Sequence, residues 1–501
     1  MDTIVTNFID QFGVTENTRK FLSQTHQMYI GGKFCQAENG EMFDIFEPCT
    51  EGMLAQVPSA TLNDVDKAVS AAKHAFTNSE WSKMKPNARE RLLHRLADLV
   101  EENSQTLAEI ESLDAGKAIS GCKAVDVAGS VDLLHYMAGW ATKIEGATRD
   151  VSAEGDHFAY TLKQPIGVVA AIVPWNWPFS MSIWKLAAPL AVGCTVVLKP
   201  SELTPLSMLY FAHLCEQAGL PKGVVNIITG SGSNIGSHLV SHPDIDKVSF
   251  TGSTNVGKTV GKTAMGNVTP ITLELGGKSP MVVFDDANIE KVVAATQQSV
   301  FFNTGQVCSA GSRMYVQKGL YDQVVSAVAK GASNLKIAMT LDPECEMGPA
   351  ISAQHRQSIC DYIEAGKKQG ARVVCGGGAV DGKGYYIKPT VFANCTNNMK
   401  IVQEEIFGPV LAIIPFDIEE QAVALANDNI YGLAASVFTN DISRAQRLIR
   451  QLDAGTVWVN THDLVDSCTP FGGFKQSGFG KDMGPEQLAY FLKTKAVWIN
   501  G

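Results

Sequence analysis

The sequence has few of the features that mark secreted, membrane-spanning or metal-dependent proteins. Its eleven cysteines are scattered, without a Cys-x-x-Cys pair or a repeated spacing, which argues against a disulfide framework and a zinc site. The longest mostly apolar stretch, 186–198, is interrupted by Pro189 and Gly193 and is too short to span a membrane. No Lys or Arg precedes Arg19, so the basic region of a leader peptide is missing. We therefore expect a cytoplasmic protein with no metal ion and no membrane contact.

Composition and length indicate a compact protein of more than one domain. The chain has 501 residues, of which 45% are hydrophobic and 18% are charged. That length suggests two or three domains. The net charge of −10 makes a nucleic-acid surface unlikely, and we expect no nucleic-acid partner.

The first part of the chain predicts helices followed by a parallel sheet. Residues 87–113 carry leucines at helical spacing among charges. Beyond residue 166, short apolar runs alternate with helical segments, and Thr204-Pro205 and Gly219 are expected to begin and end one of these helices. This alternation favours a doubly wound parallel sheet. The expected strands are Ile166–Val173, Thr195–Leu198, Val224–Ile228 and Lys247–Phe250.

The alternation restarts after Glu274, which predicts a second α/β domain. Its first elements are a strand at Met281–Phe284 and a long helix at Asn288–Phe302. The segments 144–164 and Lys493–Ile499 look like exposed extended chain, which tends to pair across a subunit interface.

Three segments together suggest thioester chemistry. Cys308 ends Phe-Asn-Thr-Gly-Gln-Val-Cys, Glu274 begins Glu-Leu-Gly-Gly-Lys, and Asn176 lies in Pro-Trp-Asn-Trp-Pro at the change from strand to helix. A thiol attacks a carbonyl, an amide stabilises the resulting alkoxide, and a carboxylate later activates water. A lone cysteine is more often a small core residue, so the prediction depends on the combination.

Two glycine-rich turns suggest a dinucleotide. Residues 230–236 and 252–257 each follow an expected strand, where glycine admits a diphosphate and the next helix directs N–H groups at it. Lys199 and Glu202 end another strand, and a glutamate facing a ribose 2′-hydroxyl would favour NAD over NADP. The alternatives are tight turns that bind nothing and an ordinary solvated Lys/Glu loop.

Several ordered motifs resemble those of the NAD(P)-dependent aldehyde dehydrogenase superfamily. They are PWNWP, KPSELTP, FTGST, LELGGK, GQVCSAGSR, EEIFGP and PFGGFKQSGFG, and the resemblance extends from about residue 28 to 499. Within the superfamily the chain looks most similar to bacterial phenylacetaldehyde dehydrogenases. The resemblance implies two doubly wound α/β domains with a small β oligomerisation extension, and a homodimer or homotetramer. The implied division is 1–143 and 165–275 for NAD binding, 276–476 for catalysis, and 144–164 and 477–501 for oligomerisation.

The resemblance also implies roles for individual residues. Cys308 would be the nucleophile, Glu274 the base that hydrolyses the thioester, and Asn176 with the Cys308 N–H the oxyanion hole. The residues implied to bind NAD are Trp175, Gly252 and Ser253 at the diphosphate, Lys199 and Glu202 at the adenine-side ribose, Glu405 and Phe407 at the nicotinamide side, and Gly232 in its glycine-rich turn.

An aromatic, uncharged aldehyde entrance is expected from the same resemblance. Its residues are Trp177, Trp184, Phe302, Val465 and Phe471. Such a funnel would suit an arylacetaldehyde or a medium aliphatic aldehyde and would reject charged ones. The alternative is that these are plain core residues. Asp482 stands where many relatives have a glutamate thought to relay protons, and it is either such a relay or a solvated acid.

Other functions remain open to test. A broad aliphatic aldehyde dehydrogenase is one alternative to an arylacetaldehyde enzyme. A coenzyme A-acylating relative generally lacks the glutamate found here as Glu274. A crystallin-like NAD-binding protein would not need Cys308 or Asn176. A cysteine hydrolase would need a histidine base, and only His462 lies near a motif.

Overall fold

The first half of the chain builds a sheet of eight strands. The computed structural model describes residues 1–501. In spatial order the strands are Lys33–Cys35, Met28–Ile30, Val225–Ile227, Thr195–Lys199, Val168–Ile172, Lys247–Thr251, Ile271–Glu274 and Gly478–Phe479. The five strands from Val225–Ile227 to Ile271–Glu274 in this order are parallel, as the sequence predicts. The chain first adds strands on one side of Val168–Ile172 and then on the other, so the strand order reverses there.

A second sheet confirms the predicted restart of the α/β pattern. In spatial order its strands are Arg372–Cys375, Thr390–Ala393, Val410–Phe416, Arg313–Gln317, Pro280–Val283, Ala434–Phe438 and Thr456–Val459. Only the edge strand Arg372–Cys375 is antiparallel to its neighbour. Two two-stranded sheets join Met42–Glu47 to Gly52–Pro58 and Tyr431–Gly432 to Phe474–Lys475.

Both main sheets are covered on both faces. In the strand Val168–Ile172, alternate residues enter two different apolar clusters, one containing Val169 and the other Val168. In the strand Pro280–Val283, Val282 and Val283 likewise belong to different clusters. Side chains alternate across a strand, so a strand buried on both sides becomes a continuous apolar run.

Helices fill the layers around the sheets. The α-helices are Thr3–Phe12, Glu16–Ser23, Leu62–Asn78, Glu80–Lys83, Pro86–Glu102, Ser104–Ala115, Ile119–Gly121, Ala128–Ala138, Pro178–Val192, Leu206–Ala218, Ser237–Ser241, Thr254–Met265, Ile289–Thr296, Tyr321–Ser333, Ala353–Lys368, Lys400–Gln403, Glu419–Asn427 and Ile442–Gln451. The π-helical segments are Cys122–Val127, Gly232–Gly236 and Gln297–Phe301, and the 3₁₀ segments are Phe302–Gly305, Lys318–Leu320 and Pro485–Phe491. No helix combines the length and the hydropathy needed to cross a bilayer.

Two predicted helices differ in detail from the structure. Thr204 does not cap the helix that follows it, which begins at Leu206, because the buried carboxylate of Asp114 accepts the Leu206 N–H at 2.8 Å. Gly219 ends that helix in a left-handed conformation, as predicted. The helix expected over 288–302 is α-helical only to Thr296 and then loosens into π and 3₁₀ turns.

The two extended segments pair with each other in a three-stranded antiparallel sheet. Its strands are Leu492–Asn500, His157–Pro165 and Thr148–Arg149. They lie within the proposed extension of 144–164 and 477–501, except for Pro165, which the proposed division assigns to the NAD-binding domain. In the same proposed segment, Gly478–Phe479 pairs with Ile271–Glu274 of the first sheet and brings the C-terminal part of the chain close to Glu274.

Candidate active site

The carboxyl ends of the parallel strands in the first sheet carry the predicted polar residues. Trp175 and Asn176 follow Val168–Ile172, which is the strand at which the strand order reverses. Lys199 and Glu274 are the last residues of their strands. In open α/β sheets ligands bind in the crevice at such a reversal.

A cavity of about 220 Å³ lies at this crevice. It brings together eight residues that the sequence proposes for the site, namely Trp175, Asn176, Gly252, Ser253, Glu274, Cys308, Glu405 and Phe407. Residues that follow strands of the first sheet and residues from the connections of the second sheet therefore line one space.

The segment before Cys308 is held in a strained conformation by many hydrogen bonds. Asn303 and Thr304 adopt left-handed backbone conformations, with φ of 46° and 57°. The Thr304 hydroxyl donates to the Gly348 carbonyl at 2.8 Å, and Ile351 N–H donates to the side chain of Gln306 at 2.9 Å. Strain of this kind persists where surrounding contacts over-determine it, and it is common at active sites.

Asn176 is attached to the same segment. It is 4% exposed, and its Nδ2 donates to the Gln306 carbonyl at 2.8 Å. Asn303 Nδ2 in turn donates to the Asn176 carbonyl at 3.0 Å. An amide nitrogen has two N–H donors, so one remains for a ligand oxygen in the cavity that Asn176 and Cys308 both line.

The surroundings of Cys308 and of Glu274 both favour the protonated form of the side chain. Burial raises the pKa of the Cys308 thiol well above its usual range, and nearby carboxylates, led by Asp463, raise it further. Burial also raises the pKa of Glu274 well above its usual value, with an added contribution from the charge of Asp482. Neither carboxyl oxygen of Glu274 has a hydrogen-bond partner. Each group must therefore lose a proton before it serves as nucleophile or base, and Glu274 is free of bonds that would hold it.

Asp482 is buried, so the interpretation of it as a solvated acid is wrong. It is 2% exposed and lies 2.5 Å from the ammonium of Lys185, which is itself fully buried. Gln487 Nε2 donates to its other oxygen at 3.0 Å. The charges of both Asp482 and Lys185 act on the pKa of Glu274. A role in proton transfer stays a prediction.

Lys199 and Glu202 form a pair at the end of a neighbouring strand. Their charged atoms lie 3.3 Å apart, and Lys199 is buried while the Glu202 side chain is about half exposed. A Cβ added to Gly232 would lie 4.0 Å from both side chains and would meet nothing closer, so this glycine leaves bare backbone beside the pair. The geometry suits a ribose with its diphosphate.

Phe407 lies among aromatic rings, and Glu405 lies two residues before it in the chain. Phe407 has a left-handed backbone, with φ of 57°, and its ring stands perpendicular to Trp175 at a centroid distance of 5.3 Å. His355 donates from Nε2 to the Phe407 carbonyl at 2.7 Å and packs against Trp175 at 5.2 Å. Burial raises the pKa of Glu405 to about 7, while its bond from the Gly277 N–H at 3.1 Å favours the ionised form. Sequence reasoning missed His355, because no motif surrounds it.

A second cavity, of about 620 Å³, opens on the other side of Cys308. All five residues expected at an aldehyde entrance line it, namely Trp177, Trp184, Phe302, Val465 and Phe471. Trp184 lies on the helix Pro178–Val192 together with Met181, which also faces the cavity. Cys308, Trp177 and Met181 line both cavities, so the thiol lies where they meet.

The second cavity is not uncharged, contrary to the sequence expectation. Asp132, Asp463 and Asp466 are among its lining residues, and no Lys or Arg is. The Ser309 hydroxyl donates to Asp463. His462, also in the lining, is buried and bridges the Ser309 carbonyl and the Ser436 hydroxyl, each at 2.9 Å, which occupies both ring nitrogens. Asp132 lies on the helix Ala128–Ala138, whereas Asp463 and Asp466 lie in one loop that also contains Val465. No motif marks any of the three, which is why the sequence did not reveal them.

Comparisons with known proteins show which family the chain resembles. The profile of the aldehyde dehydrogenase family matches residues 34–497. The chain is 42% identical over 480 residues to phenylacetaldehyde dehydrogenase of Pseudomonas fluorescens, which covers 95% of this chain and 96% of that protein. It is similar to the NAD⁺ complex of an aldehyde dehydrogenase from Bacillus cereus, with a TM-score of 0.96, 44% identity and coverage of 97% and 99% of the two chains. It is also similar to betaine aldehyde dehydrogenase from Staphylococcus aureus, with a TM-score of 0.94, 39% identity and coverage of 97% of each chain.

Proposed function

Because the chain belongs to the aldehyde dehydrogenase family, we propose that it oxidises an aldehyde to its carboxylic acid with NAD, and that an arylacetaldehyde such as phenylacetaldehyde is its substrate. One observation carries this proposal. Cys308 lies at the junction of two cavities, one suited to a dinucleotide and one lined by aromatic side chains. An enzyme that joins a thiol, a carbonyl and an electron acceptor needs such a junction.

The residues of the smaller cavity and its surroundings suit NAD. Gly252 and Ser253 precede the helix Thr254–Met265, whose first N–H groups favour a diphosphate. Glu202 and Lys199 would hold the adenine-side ribose, and Glu405 with Phe407 would hold the nicotinamide side. Bound NAD supplies the electron acceptor for the oxidation.

The chain's own groups carry out the covalent steps. Cys308 loses its proton and its sulfur bonds to the aldehyde carbon, so the carbonyl oxygen becomes an alkoxide. The free N–H of Asn176 and the Cys308 N–H stabilise that oxygen where its charge develops. The alkoxide then re-forms the carbonyl while the C–H bond breaks, and the hydrogen leaves with its bonding electron pair, which bound NAD would accept. A thioester remains on Cys308. Glu274, once deprotonated, takes a proton from water as the water oxygen bonds to the thioester carbon. Collapse of that adduct breaks the carbon–sulfur bond, returns the electron pair to the Cys308 sulfur and releases the acid.

The aromatic lining supports an arylacetaldehyde. Trp184 and Phe471 pack edge to face at 5.5 Å, and Trp177 and Phe302 lie at 5.8 Å with planes 30° apart. Comparing kcat/KM for phenylacetaldehyde, hexanal and acetaldehyde tests the assignment. We expect the aromatic aldehyde to be preferred, and a preference for hexanal would favour the broad aliphatic alternative.

The three carboxylates of the larger cavity favour a second candidate, a cationic aldehyde. Aromatic faces and carboxylates both attract ammonium groups. The likeness to a betaine aldehyde dehydrogenase supports the same idea. Adding betaine aldehyde to the substrate comparison decides between the candidates. If it is the better substrate, Asp132→Asn and Asp466→Asn should each lower its kcat/KM and leave that of phenylacetaldehyde unchanged.

The nature of the acyl acceptor is a separate question. Glu274 favours water over coenzyme A, because a thiol acceptor needs no carboxylate to activate water. Product analysis with and without coenzyme A should give the free acid in both cases. Formation of an acyl-coenzyme A product would replace the hydrolytic proposal.

We also propose that the protein is a homodimer or homotetramer in the cytoplasm. The three-stranded sheet exposes Phe158, Leu162 and Ile499 on one face, since Ile499 is paired with Phe158, and it exposes Trp498 on the other face. Edge strands of this kind pair with another chain. All eleven cysteines are free thiols, which suits a reducing compartment. Sedimentation at several protein concentrations tests the oligomeric state, and a monomer would contradict it.

A further inference from the structure

A buried ion pair lies behind the wall that separates the two cavities. Trp177 forms part of that wall, and the Lys117 ammonium lies over its ring at 3.7 Å from the centroid. Lys117 is bonded to Asp126 at 2.5 Å, and the two side chains are 2% and 0% exposed. The cation therefore has two partners, a carboxylate and an indole face, and almost no water.

The local fold directs both charges at this point. Lys117 comes directly after Gly116, which ends the helix Ser104–Ala115 in a left-handed conformation with φ of 67°. Asp126 lies in the π-helical segment Cys122–Val127, a rare form that is frequent at functional sites. Its neighbour Val125 lines the larger cavity while Asp126 is buried.

Folding stability alone does not account for the buried Lys117–Asp126 pair. A buried ion pair is often no better for stability than two apolar side chains. Here the second Asp126 oxygen has no hydrogen-bond partner, so the carboxylate is not fully satisfied. Attraction between a cation and an indole face is strongest when the cation is desolvated, as Lys117 is.

We propose that the Lys117–Asp126 pair is a positioning device that fixes the Trp177 ring and thereby sets the preference for aromatic over short aliphatic aldehydes. Trp177 and Phe302 form an offset aromatic pair on the cavity wall. The edge of the Phe302 ring lies against Gly121, where an added Cβ would lie 3.1 Å from the ring. A ring held in this way presents a fixed surface to an aryl substrate, whereas acetaldehyde is too small to use it. This inference rests on the proposed oxidation of an arylacetaldehyde.

The test removes both charges together. Lys117→Met with Asp126→Leu removes the cation together with the carboxylate bonded to it, so neither partner of the pair is left buried alone and the fold is expected to persist. The ratio of kcat/KM for phenylacetaldehyde to that for acetaldehyde should fall by about tenfold, which is within the roughly thirtyfold that a desolvated cation–π contact is worth in full. A ratio unchanged from the wild type would overturn the proposal.

The same two substitutions made in a Trp177→Leu variant show whether the pair acts through the Trp177 ring or only supports the fold. In Trp177→Leu the ratio should already be low, and adding the two charge-removing substitutions should lower it no further. If the two substitutions lowered the ratio in Trp177→Leu as much as they do in the wild type, the pair would act only on the fold. Lys117→Arg keeps the cation and should keep the ratio. A wild-type ratio in Trp177→Leu alone would overturn the proposal however the other variants fold.

A binding measurement keeps this proposal distinct from the proposed function. Phenylacetamide is an unreactive analogue, and its dissociation constant by calorimetry should rise by a similar factor in the charge-free double variant. If the wild type oxidises no aldehyde, the proposed function fails, while a pair-dependent affinity for phenylacetamide still supports the positioning role. If phenylacetaldehyde is oxidised and neither its ratio nor the analogue affinity responds to the pair, only the positioning role fails.

Discussion

Replacing Asn176 with alanine tests whether its amide stabilises the alkoxide. The side chain is 4% exposed and uses one N–H on the Gln306 carbonyl at 2.8 Å, which leaves the other for the substrate oxygen. Removal of one such donor costs about 10²- to 10³-fold in kcat, or about 2.7–4 kcal/mol of transition-state stabilisation. We expect a loss of this size in kcat for phenylacetaldehyde, measured from NADH absorbance.

The same substitution also removes a structural hydrogen bond, and its cost is smaller. Loss of the bond to Gln306 costs about 1 kcal/mol of folding stability. The Gln306 carbonyl still accepts from Asn303 Nδ2 at 3.4 Å, so it is not left unpaired. Urea unfolding of the variant should therefore show a modest decrease in the free energy of unfolding.

Asn303→Gly is the matched control for this experiment. It removes the bonds from Asn303 to the carbonyls of Asn176 and Gln306, and glycine accepts the left-handed backbone found there. Asn303 does not line either cavity. The control should lose stability to a similar extent while keeping most of its kcat. Equal losses of kcat in the two variants, or a kcat for Asn176→Ala within about threefold of the wild type, would refute the oxyanion role, since a donor of this kind is worth far more.

Three further predictions concern the cofactor and the acid–base groups. Glu202→Gln removes the carboxylate that would repel a 2′-phosphate, so kcat/KM with NADP should rise relative to NAD; an unchanged ratio would contradict the assignment. Asp482→Asn leaves Lys185 buried without its ionised partner, which should cost about 3–5 kcal/mol in urea unfolding. Because Asp482 raises the pKa of Glu274, the same variant should shift the acid limb of the pH–rate profile for thioester hydrolysis to lower pH. An unshifted limb would count against electrostatic coupling between Asp482 and Glu274. Cys308 and Glu274 both act in their deprotonated forms, and both have raised pKa values. We therefore expect kcat/KM and kcat to rise with pH above neutrality. A profile that is flat from pH 6 to 9, roughly the range these shifts affect, would contradict that expectation.

Sequence reasoning succeeded where the signal is local. The strands Val168–Ile172 and Pro280–Val283 are continuous apolar runs, and burial on both faces makes such runs easy to recognise. Cys308, Glu274 and Asn176 each lie in a motif that contains glycine or proline. The residues next to them in the sequence are therefore enough to mark them as candidates. The structure places all three on the lining of one cavity.

The features that were missed depend on contacts between distant segments. Lys185 and Asp482 are nearly three hundred residues apart, and neither lies in a pattern that predicts an ion pair. The best local signal was the lysine itself, since Lys185 interrupts an otherwise apolar helix where an unpaired charge would be costly. His355 gave no signal at all, because its role is to hold the Phe407 carbonyl.

The expectation of an uncharged aldehyde entrance failed for a similar reason. The aromatic residues were recognised from motifs, whereas Asp132 and Asp466 lie in segments that read as ordinary solvated turns or helix surface. Which charged side chains line a cavity depends on which segments pack against each other, and that depends on the packing of the two sheets. For this reason the choice between an arylacetaldehyde and a cationic aldehyde requires kinetic measurement.

The most direct test of the account is the fate of the acyl group in Glu274→Gln. Mixed with phenylacetaldehyde and NAD, this variant should form about one NADH per active site and then stall, because oxidation to the thioester is intact while its hydrolysis is lost. Peptide mass spectrometry of the stalled enzyme should find a phenylacetyl group on Cys308. An adduct on another residue, or the same burst from Cys308→Ala, would contradict the central claim that this sulfur carries the substrate.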